Sequence, residues 1–499
     1  LANLNYSDGM ASQIYYAAVL FLLVSLAIYY IPGDVWYSDA SNYFWLIGVI
    51  AVWRYSWKLL NLGRALLYKH TVYPFIKSQA LKNYRDPQAL YVLITSYRMD
   101  PKMNFRVYQS LVEEAQALNC PVHIVALITD EADLRIFKIL QSHIEHKQNI
   151  FFHNIFQKGT GKRSAMYDGL KFIKELGPPP KAPVIFMDGD TMVGKDAIKN
   201  AYAVLNNDAK LGAVTTNNRA LVQDDRSFVR EWYRLRMMNR DMYMSSHSLS
   251  RKVLVLTGRF SMFKAQVVMS NEFIQSINFD MIDHWRLQKV RMLTGDDKTT
   301  WFYTLKAGWD MLYLPDTYVY PIEVLPKRNF FASSISLTQR WSGNMLRNNY
   351  RALRLGWKKL NIFPWIAVLD QRISIWTTLS GPLFATAIMV WQSADFFWVY
   401  LLWIIVSRFF QSMLLFISCG QFHPVHIMLL FYDQFMGSIV KSFNTFFLDR
   451  QRWERHNTGR INDQQKNLGS GVMWVASMVF IFVAIIYVIV NTPSLVLIR

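Results

Sequence analysis

The sequence predicts an α/β domain, a mixed and mostly parallel sheet with helices on both faces, inserted into an α-helical transmembrane bundle. Three observations carry this. Charge-free apolar runs long enough for a bilayer core of about 30 Å stand near both ends of the chain. Between roughly Tyr84 and Lys327 no run is that long. Within that interval short β-rich runs alternate with helical-looking ones, the pattern of a parallel sheet covered on both sides. A chain of 499 residues that is 52 % hydrophobic yet formally +19 fits neither an ordinary soluble enzyme nor a bare membrane bundle. Its two cysteines, Cys120 and Cys419, lie far apart, which excludes a disulfide framework or a cysteine-rich metal site.

Taken in order, Ile14–Ile31 is the first predicted span, and the lack of a basic leader marks it as retained rather than cleaved. Tyr43–Leu60 is the second. Seven Lys and Arg fall from Arg54 to Arg85 before any acid, so the positive-inside rule places this side, and the domain after it, in the cytoplasm. The predicted division is 1–84 for two spans and a basic linker, 85–327 for the cytoplasmic domain, 328–370 for interfacial helices and 371–499 for the remaining helices. In the third segment Arg340, Arg347, Arg351 and Arg354 share one helical face, and Leu346, Tyr350, Leu353 and Trp357 another. That periodicity predicts an amphipathic basic helix on the membrane surface, with an ordinary helix packed on the domain as the competing reading. Ile373–Trp391, Phe396–Ser418 and Val472–Val490 complete five spans. His426–Phe447 carries Asp433 and Lys441, and spanning would put the five basic residues of loop 449–466 outside. It is therefore predicted to be interfacial or re-entrant.

Within the domain, Leu90–Thr95, Val122–Ile128 and Pro183–Met187 read as strands, with helices over Phe105–Leu118 and Ser164–Glu175. Ligands bind at the carboxyl ends of such strands. Each run ends in polar residues: Ser96-Tyr97, Asp130-Glu131 and Asp188-Gly-Asp190. Carboxylates two apart at a strand end suit a hard divalent cation, and a ligand-free Asp-Gly-Asp turn is the competing reading. The EF-hand pattern fails, because Met192 and Val193 stand where a ligand and a glycine belong.

A second acidic cluster, Thr294-Gly-Asp-Asp-Lys298, opens a helical-looking Thr299–Lys306. An N-cap with acids favoured by the helix dipole accounts for one carboxylate. Adjacent carboxylates beside a lysine ionise differently, which leaves one as a general base, so Asp296, Asp297 and Lys298 are the catalytic candidates. The basic loop from Lys158 through Gly159 and Gly161 to Lys162 and Arg163 suits a diphosphate at a helix start; the Walker spacing is absent, which counts against an ATPase. Thr257–Met262, with Gly258 and Ser261, and the Arg340-Trp341 element flank the second cluster. Tryptophan stacks on sugar rings and arginine forks to phosphate, so Gly258, Ser261 and Trp341 are the acceptor-side candidates. His143 and His146 lack a third ligand and read as surface residues. The basic residues gather beside spans rather than on an aromatic-rich face, which argues against nucleic acid.

In order and spacing these motifs resemble the processive membrane glycosyltransferases of family 2, a group that includes cellulose, hyaluronan and alginate synthases, over roughly Asp86 to Arg460. The resemblance implies a GT-A-like fold with Ser96, Tyr97 and Asp130 on the nucleotide and Lys162 and Arg163 on the diphosphate. It makes Asp188 and Asp190 the D-x-D pair, with Asp190 on Mg²⁺ (or Mn²⁺), and Asp297 the general base. Arg340 and Trp341 match the end of Q-x-x-R-W, whose Gln position is Leu337 here. Trp453 with Thr458-Gly-Arg460 resembles a gating element that closes over the nucleotide. Thr294–Trp301 together with Arg340–Arg347 most resembles the alginate-polymerising members. That implies a GDP-mannuronic acid donor, a poly-mannuronate product held as nascent polysaccharide, a bacterial inner-membrane location and a cyclic-di-GMP-binding accessory membrane protein. An acidic polymer suits the basic excess, with Arg372, Arg408 and Lys441 as candidates along its path, though snorkelling accounts for them too. The alternatives are a hyaluronan-, chitin- or cellulose-type synthase using a UDP-sugar, and a non-catalytic transporter or scaffold.

Overall fold

The structure, a computed structural model, describes residues 10–29, 44–97, 99–143, 149–157, 161–391, 396–451 and 464–496. Its centre is a nine-stranded sheet built from β1 (Leu90–Thr95), β2 (Val122–Ile128), β3 (Ile150–Phe156), β4 (Pro183–Asp188), β5 (Thr191–Val193), β6 (Leu211–Asn218), β7 (Leu221–Val222), β8 (Phe260–Lys264) and β11 (Asp310–Glu323). Strands β9 (Met281–His284) and β10 (Gln288–Arg291) form a separate hairpin. The order is β3-β2-β1-β4-β8-β6-β11-β5, with β7 also on β11. Pairing is parallel except where β8 runs against β4 and β6, and β5 against β11. This is the mixed, mostly parallel sheet that the sequence predicts, and the three predicted strands are in it.

The chain winds outward from β1 through β2 to β3 and then returns to place β4 on the other side of β1. Such a reversal opens a crevice at the carboxyl ends of the two strands. Thr95 pairs there with Asp188, which brings the first and third polar strand ends together. β1 is buried on both faces, which is why it reads as an unbroken Leu-Tyr-Val-Leu-Ile run rather than an alternating one.

Helices cover both faces of the sheet. Those used below are α1 (Met10–Tyr29), α2 (Phe44–Leu67), α3 (Tyr73–Lys82), α4 (Pro101–Gln116), α5 (Glu131–His143), α6 (Lys162–Glu175), α7 (Ala197–Asn206), α8 (Ser227–Ser248), α9 (Asn271–Asn278) and α10 (Asp296–Lys306). One core packs β-sheet residues such as Val92 and Ile124 against α4, α5 and α7; the other packs Leu93, Phe186 and Phe263 against α6, α9 and α10. Helix α4 starts where Asp100 accepts from the Lys102 and Met103 amides at 3.0 and 3.2 Å, with Pro101 in the first turn.

The remaining helices are α11 (Phe330–Arg354), α12 (Ile362–Trp391), α13 (Phe396–Cys419), α14 (His426–Phe446) and α15 (Gln464–Val496). Three segments among the described residues are long and apolar enough to cross a membrane: Ile362–Val390, Phe396–Cys419 and Leu468–Tyr487. They contain the fourth and most of the third and fifth predicted spans, and α12 begins eleven residues earlier than the sequence predicts. In α1 the described apolar segment is the shorter Gln13–Leu23, and α2 is interrupted by Arg54, Lys58 and Arg64. A third core, with Trp232 and Leu235 of α8 against Leu62, Leu337, Leu414 and Leu430, joins the domain to α2, α11, α13 and α14.

Helix α11 corrects the reading of its arginine face. Arg347 is 2 % exposed and bonds the Thr294 hydroxyl (3.2 Å), Asn344 (2.6 Å) and the Leu448 carbonyl (2.9 Å). Arg351 pairs with the buried Asp280 at 2.7 Å. These arginines therefore dock the helix onto the domain instead of facing lipid, while Tyr350 and the following Trp357 stay exposed. The 3.6-residue period identified the shared face correctly; its acidic partner lies seventy residues away in sequence, where periodicity carries no information.

Candidate functional site

The two acidic clusters meet in one cleft, and Lys162 joins them. Its Nζ lies 2.6 Å from Asp188 Oδ1 and 2.6 Å from Asp296 Oδ2. Burial opposes the lysine's charge, but the two carboxylates outweigh it and raise its pKa. Gly258 makes room for this bridge, since a Cβ there would come within 2.8 Å of Lys162 Nζ and 3.2 Å of Asp188. Asp188, Lys162, Gly258, Ser261, Asp296 and Asp297 all line the same small cavity.

The helix α10 start sets the roles of three neighbours. Gly295 takes φ +84° before the first turn, and a Cβ there would strike Asn344 of α11. Successive helical residues point about 100° apart. Asp296 therefore reaches Lys162, Asp297 is left partly exposed in the cleft, and Lys298 turns back to the core. Lys298 donates to the Leu254 carbonyl at 2.5 Å and lies 4.5 Å from the Trp301 ring centroid; burial pulls it down to about 8. This corrects its assignment as a catalytic candidate. The adjacent acids separate as the sequence predicts. Burial raises the Asp297 pKa and the Asp296 charge raises it further, while for Asp296 burial is outweighed by Lys162 and then Arg163, which hold it low.

Arg163 is not brought to the cleft. It is buried, donating to Thr299 Oγ1 (3.0 Å) and the Ser276 carbonyl (2.7 Å), with Asp280 at 3.9 Å. One step along α6 from Lys162 suffices to turn it into the α9–α10 junction. Ser261 lies on the cavity floor, but its hydroxyl is spent on Thr215 Oγ1 (3.1 Å) and the Thr257 carbonyl (2.8 Å) within the sheet, so it is not open to an acceptor.

Asp190 follows Asp188 at the crevice, and the Ile322 amide donates to its carbonyl at 2.7 Å. Gly189 lies so close to β1 that a Cβ would meet the Thr95 carbonyl at 2.7 Å, which fixes both aspartates against the strand end. Among the described residues no group of three or more His, Cys, Asp or Glu is arranged to hold a metal ion. Two carboxylates at a strand end do fit a Mg²⁺-type ion, which keeps most of its shell for water and substrate phosphate.

At the other side of the crevice Ser96 is buried and its hydroxyl meets Asn104 Oδ1 at 3.4 Å. Asp130 is exposed, accepting from the Ala132 amide at 2.9 Å. Tyr97 is partly exposed beside them. Asp133 escaped the sequence reading. It is 3 % exposed, takes a hydrogen bond from Asn104, leaves Oδ2 without a partner among the described residues, and is pushed by burial up to about 6. A carboxylate three residues after the predicted Asp130, on the same face of a helix start, was its only signal.

Arg340 and Trp341 lie on α11, outside the lining of the small cavity. The Trp341 ring stacks on Trp232 (centroids 6.2 Å, 27°), with the Arg236 guanidinium 4.2 Å from its centroid. Leu337, at the family's glutamine position, is buried in the α8–α11 core. Trp453 and Arg460 lie outside the described residues. Gln451, just before that loop, holds the second acidic cluster from behind: its Oε1 accepts the Leu293 and Thr294 amides at 2.9 and 3.3 Å.

Comparison with known proteins identifies the family of the chain. The glycosyltransferase-like family 2 matches residues 87–344. The chain belongs to that family. It is 33 % identical over 478 residues to glycosyltransferase alg8 of Pseudomonas syringae pv. tomato, covering 94 % of this chain and 97 % of the relative. To glycosyltransferase alg8 of Azotobacter vinelandii it is 34 % identical over 439 residues, 88 % of each chain. Among solved structures, a mannosyltransferase from Pyrobaculum calidifontis, in complex with GDP-Man and Mn²⁺, aligns at a TM-score of 0.42 and 13 % identity over 77 % of this chain and 98 % of that one. The chain is thus a family 2 glycosyltransferase with helices that suit a membrane.

Proposed function

We propose that the chain polymerises mannuronic acid from GDP-mannuronic acid at the cytoplasmic face of a bacterial inner membrane and passes the poly-mannuronate through it. The observation that carries this is the Asp188–Lys162–Asp296 bridge with Asp297 open beside it. It unites a nucleotide side and an acceptor side in one cleft. The kinship with alg8 glycosyltransferases over nearly the whole chain supports the choice of branch.

In this reading Ser96, Tyr97, Asp130 and Asp133 receive the nucleotide. Asp188 and Asp190 would hold a divalent cation, which when bound neutralises the diphosphate leaving group. As the diphosphate arrives, Lys162 exchanges its carboxylates for phosphate oxygens, a shift of a few ångströms for a flexible side chain. Asp297, its pKa raised by burial and by Asp296, takes the proton of the acceptor hydroxyl. In-line attack inverts the anomeric centre. Trp341, partly exposed and backed by the buried Trp232, offers an aromatic platform for the acceptor sugars, and Arg340 lies one residue from it. Helices α1 and α2 join the three apolar segments as spans, α14 lies at the interface, and the family resemblance assigns Trp453 and Arg460 to the nucleotide. The family resemblance adds a cyclic-di-GMP-binding accessory membrane protein.

The test is the donor. Vesicles bearing the full chain, with that accessory protein supplied, are offered labelled GDP-mannuronate, UDP-glucose, UDP-N-acetylglucosamine and UDP-glucuronate. Acid-stable labelled polymer from GDP-mannuronate, abolished by EDTA, is the expected result. Polymer from a UDP-sugar alone would refute it.

A further inference from the structure

The hairpin of β9 and β10 stands apart from the main sheet and packs on the helices that suit a membrane. Its inner residues Ile282, Leu287 and Val290 are buried with Leu346 of α11, Ile375 of α12 and Leu448 after α14, and Trp376 lies against them. Asp283, Trp285, Lys289 and Arg291 are exposed. The pairing of His284 with Gln288 leaves Trp285, Arg286 and Leu287 as a three-residue loop. Gln288 closes that loop at φ +58°, the left-handed conformation that a glycine ordinarily supplies there. The indole of Trp285 is thereby held at the tip with 76 % of its surface exposed. Single exposed hydrophobic residues are ordinary on a protein surface, so the level at which this one stands has to decide its meaning.

Two helices fix that level. On α15, Arg286 donates to Ser470 Oγ at 2.6 Å, and Ser470 is the third residue of the apolar segment Leu468–Tyr487. The residues before that segment, Gln464, Gln465, Lys466 and Asn467, are polar. On α12, the hairpin packs on Ile375 and Trp376, one turn past Asp370, Gln371 and Arg372, and residues 373–390 carry no charge. Arg372 is also within electrostatic reach of His284. Arg286 ties the tip to the end of α14 as well, donating to the Phe446 carbonyl at 2.5 Å. Two polar-to-apolar boundaries thus fall at one hairpin. That is the level where headgroups meet acyl chains, and where the apolar body and N–H of an indole are both satisfied.

The hairpin leads straight into the second acidic cluster. β10 ends at Arg291, three residues before Thr294, and Gln451 clamps the join: its Nε2 donates to the Arg291 carbonyl at 2.7 Å while its Oε1 takes the Leu293 and Thr294 amides. We propose that the β9–β10 hairpin is a phospholipid anchor, in which Trp285 enters the headgroup–acyl boundary and the clamped run from Arg291 to Thr294 holds the helix bearing Asp297 at a fixed height above the bilayer. Phospholipid is the occupant because an indole at the boundary of two spans, with Lys289 and Arg291 exposed beside it against Asp283, matches acyl chains under phosphates. Trp285 stands outside the cavity lining and is a positioning residue. The inference rests on the reading of the apolar helices as spans and is independent of which donor the cleft takes.

The full chain in nanodiscs of phosphatidylcholine and phosphatidylglycerol tests it, with a nitroxide on Trp285→Cys. Wild type taken through the same labelling controls for Cys120 and Cys419. The nitroxide should be more accessible to oxygen, which concentrates among acyl chains, than to a water-soluble nickel chelate. Greater access for the chelate would overturn the anchor, and so would a label shielded from both reagents, because protein would then cover the tip. In the same discs Trp285→Glu should lower sugar incorporation from GDP-mannuronate about tenfold, the scale of a small misplacement of a catalytic group, with donor binding and melting temperature unchanged. Trp285→Tyr, another interfacial side chain, should restore it. Full incorporation by Trp285→Glu would overturn the link to the acidic cluster. The depth measurement needs no turnover, so a failed anchor and a failed enzymatic reading are told apart.

Discussion

In the catalytic cleft Lys162 is matched by acids, holding Asp188 and Asp296, and in the domain around it Arg163 and Arg351 share Asp280 while Arg259 holds Glu323. Along α8, α14, α2 and α13, by contrast, Arg240, Lys441, Lys58 and Arg408 have no such partner among the described residues. A balanced cluster stabilises the apo fold and must be opened by the ligand that replaces its internal pairs. An unbalanced row is costly to the fold. The contrast sets a cluster that an anionic ligand can open against a row whose charge the fold leaves uncompensated.

The comparison can be broken at several points. Asp190→Ala removes one of the two carboxylates available to a metal and should lower sugar transfer on the order of 10³-fold, without a comparable loss of melting temperature. Equal activity in both proteins would remove the metal from Asp190. Lys162→Met leaves Asp188 and Asp296 facing each other uncompensated. Breaking a largely buried pair in this way costs about 3–5 kcal/mol, to be read from unfolding of the detergent-solubilised protein. A neutral result would mean that water already screens the pair. Arg351→Gln loosens α11 from Asp280 by roughly 2 kcal/mol, the range for a hydrogen bond to a charged group, and should weaken acceptor use more than donor binding. Gly258→Ala should cost least, about 1 kcal/mol, because the Cβ meets the mobile end of Lys162 and not backbone. A larger loss there would show the lysine bridge to be rigid.

Much of the cleft was legible in the sequence because strand ends and helix starts are local events. The D-x-D motif ends an apolar run, and Thr294-Gly-Asp-Asp announces a helix, so both clusters could be placed at sheet and helix termini before the fold was known. Which neighbour faces the cleft was not legible. Lys162 and Arg163, and Asp297 and Lys298, are adjacent pairs in which a rotation of about 100° decides between ligand and core. The phase of that rotation is set by remote residues such as Ser276, Asp280 and Leu254. The α11 arginines failed for the same reason. Their face was correct, but lipid and Asp280 are equally good partners in a helical wheel. The Trp232–Arg236–Arg240 stripe was present as plain i, i+4 spacing, yet only the contact with Trp341 and Asp433 separates it from a solvated helix face.

The most direct measurement is the pH dependence of labelled-mannuronate incorporation by the wild type and by Asp297→Asn, with GDP-mannuronate binding measured in parallel. A general base must be ionised, so wild-type incorporation should fall as pH drops through the raised pKa of Asp297, above the range of an ordinary aspartate. The asparagine variant should bind donor normally but incorporate at least about 10²-fold less sugar at every pH, with that acid limb gone. Wild-type incorporation by Asp297→Asn, or an unchanged acid limb in the variant, would contradict the account.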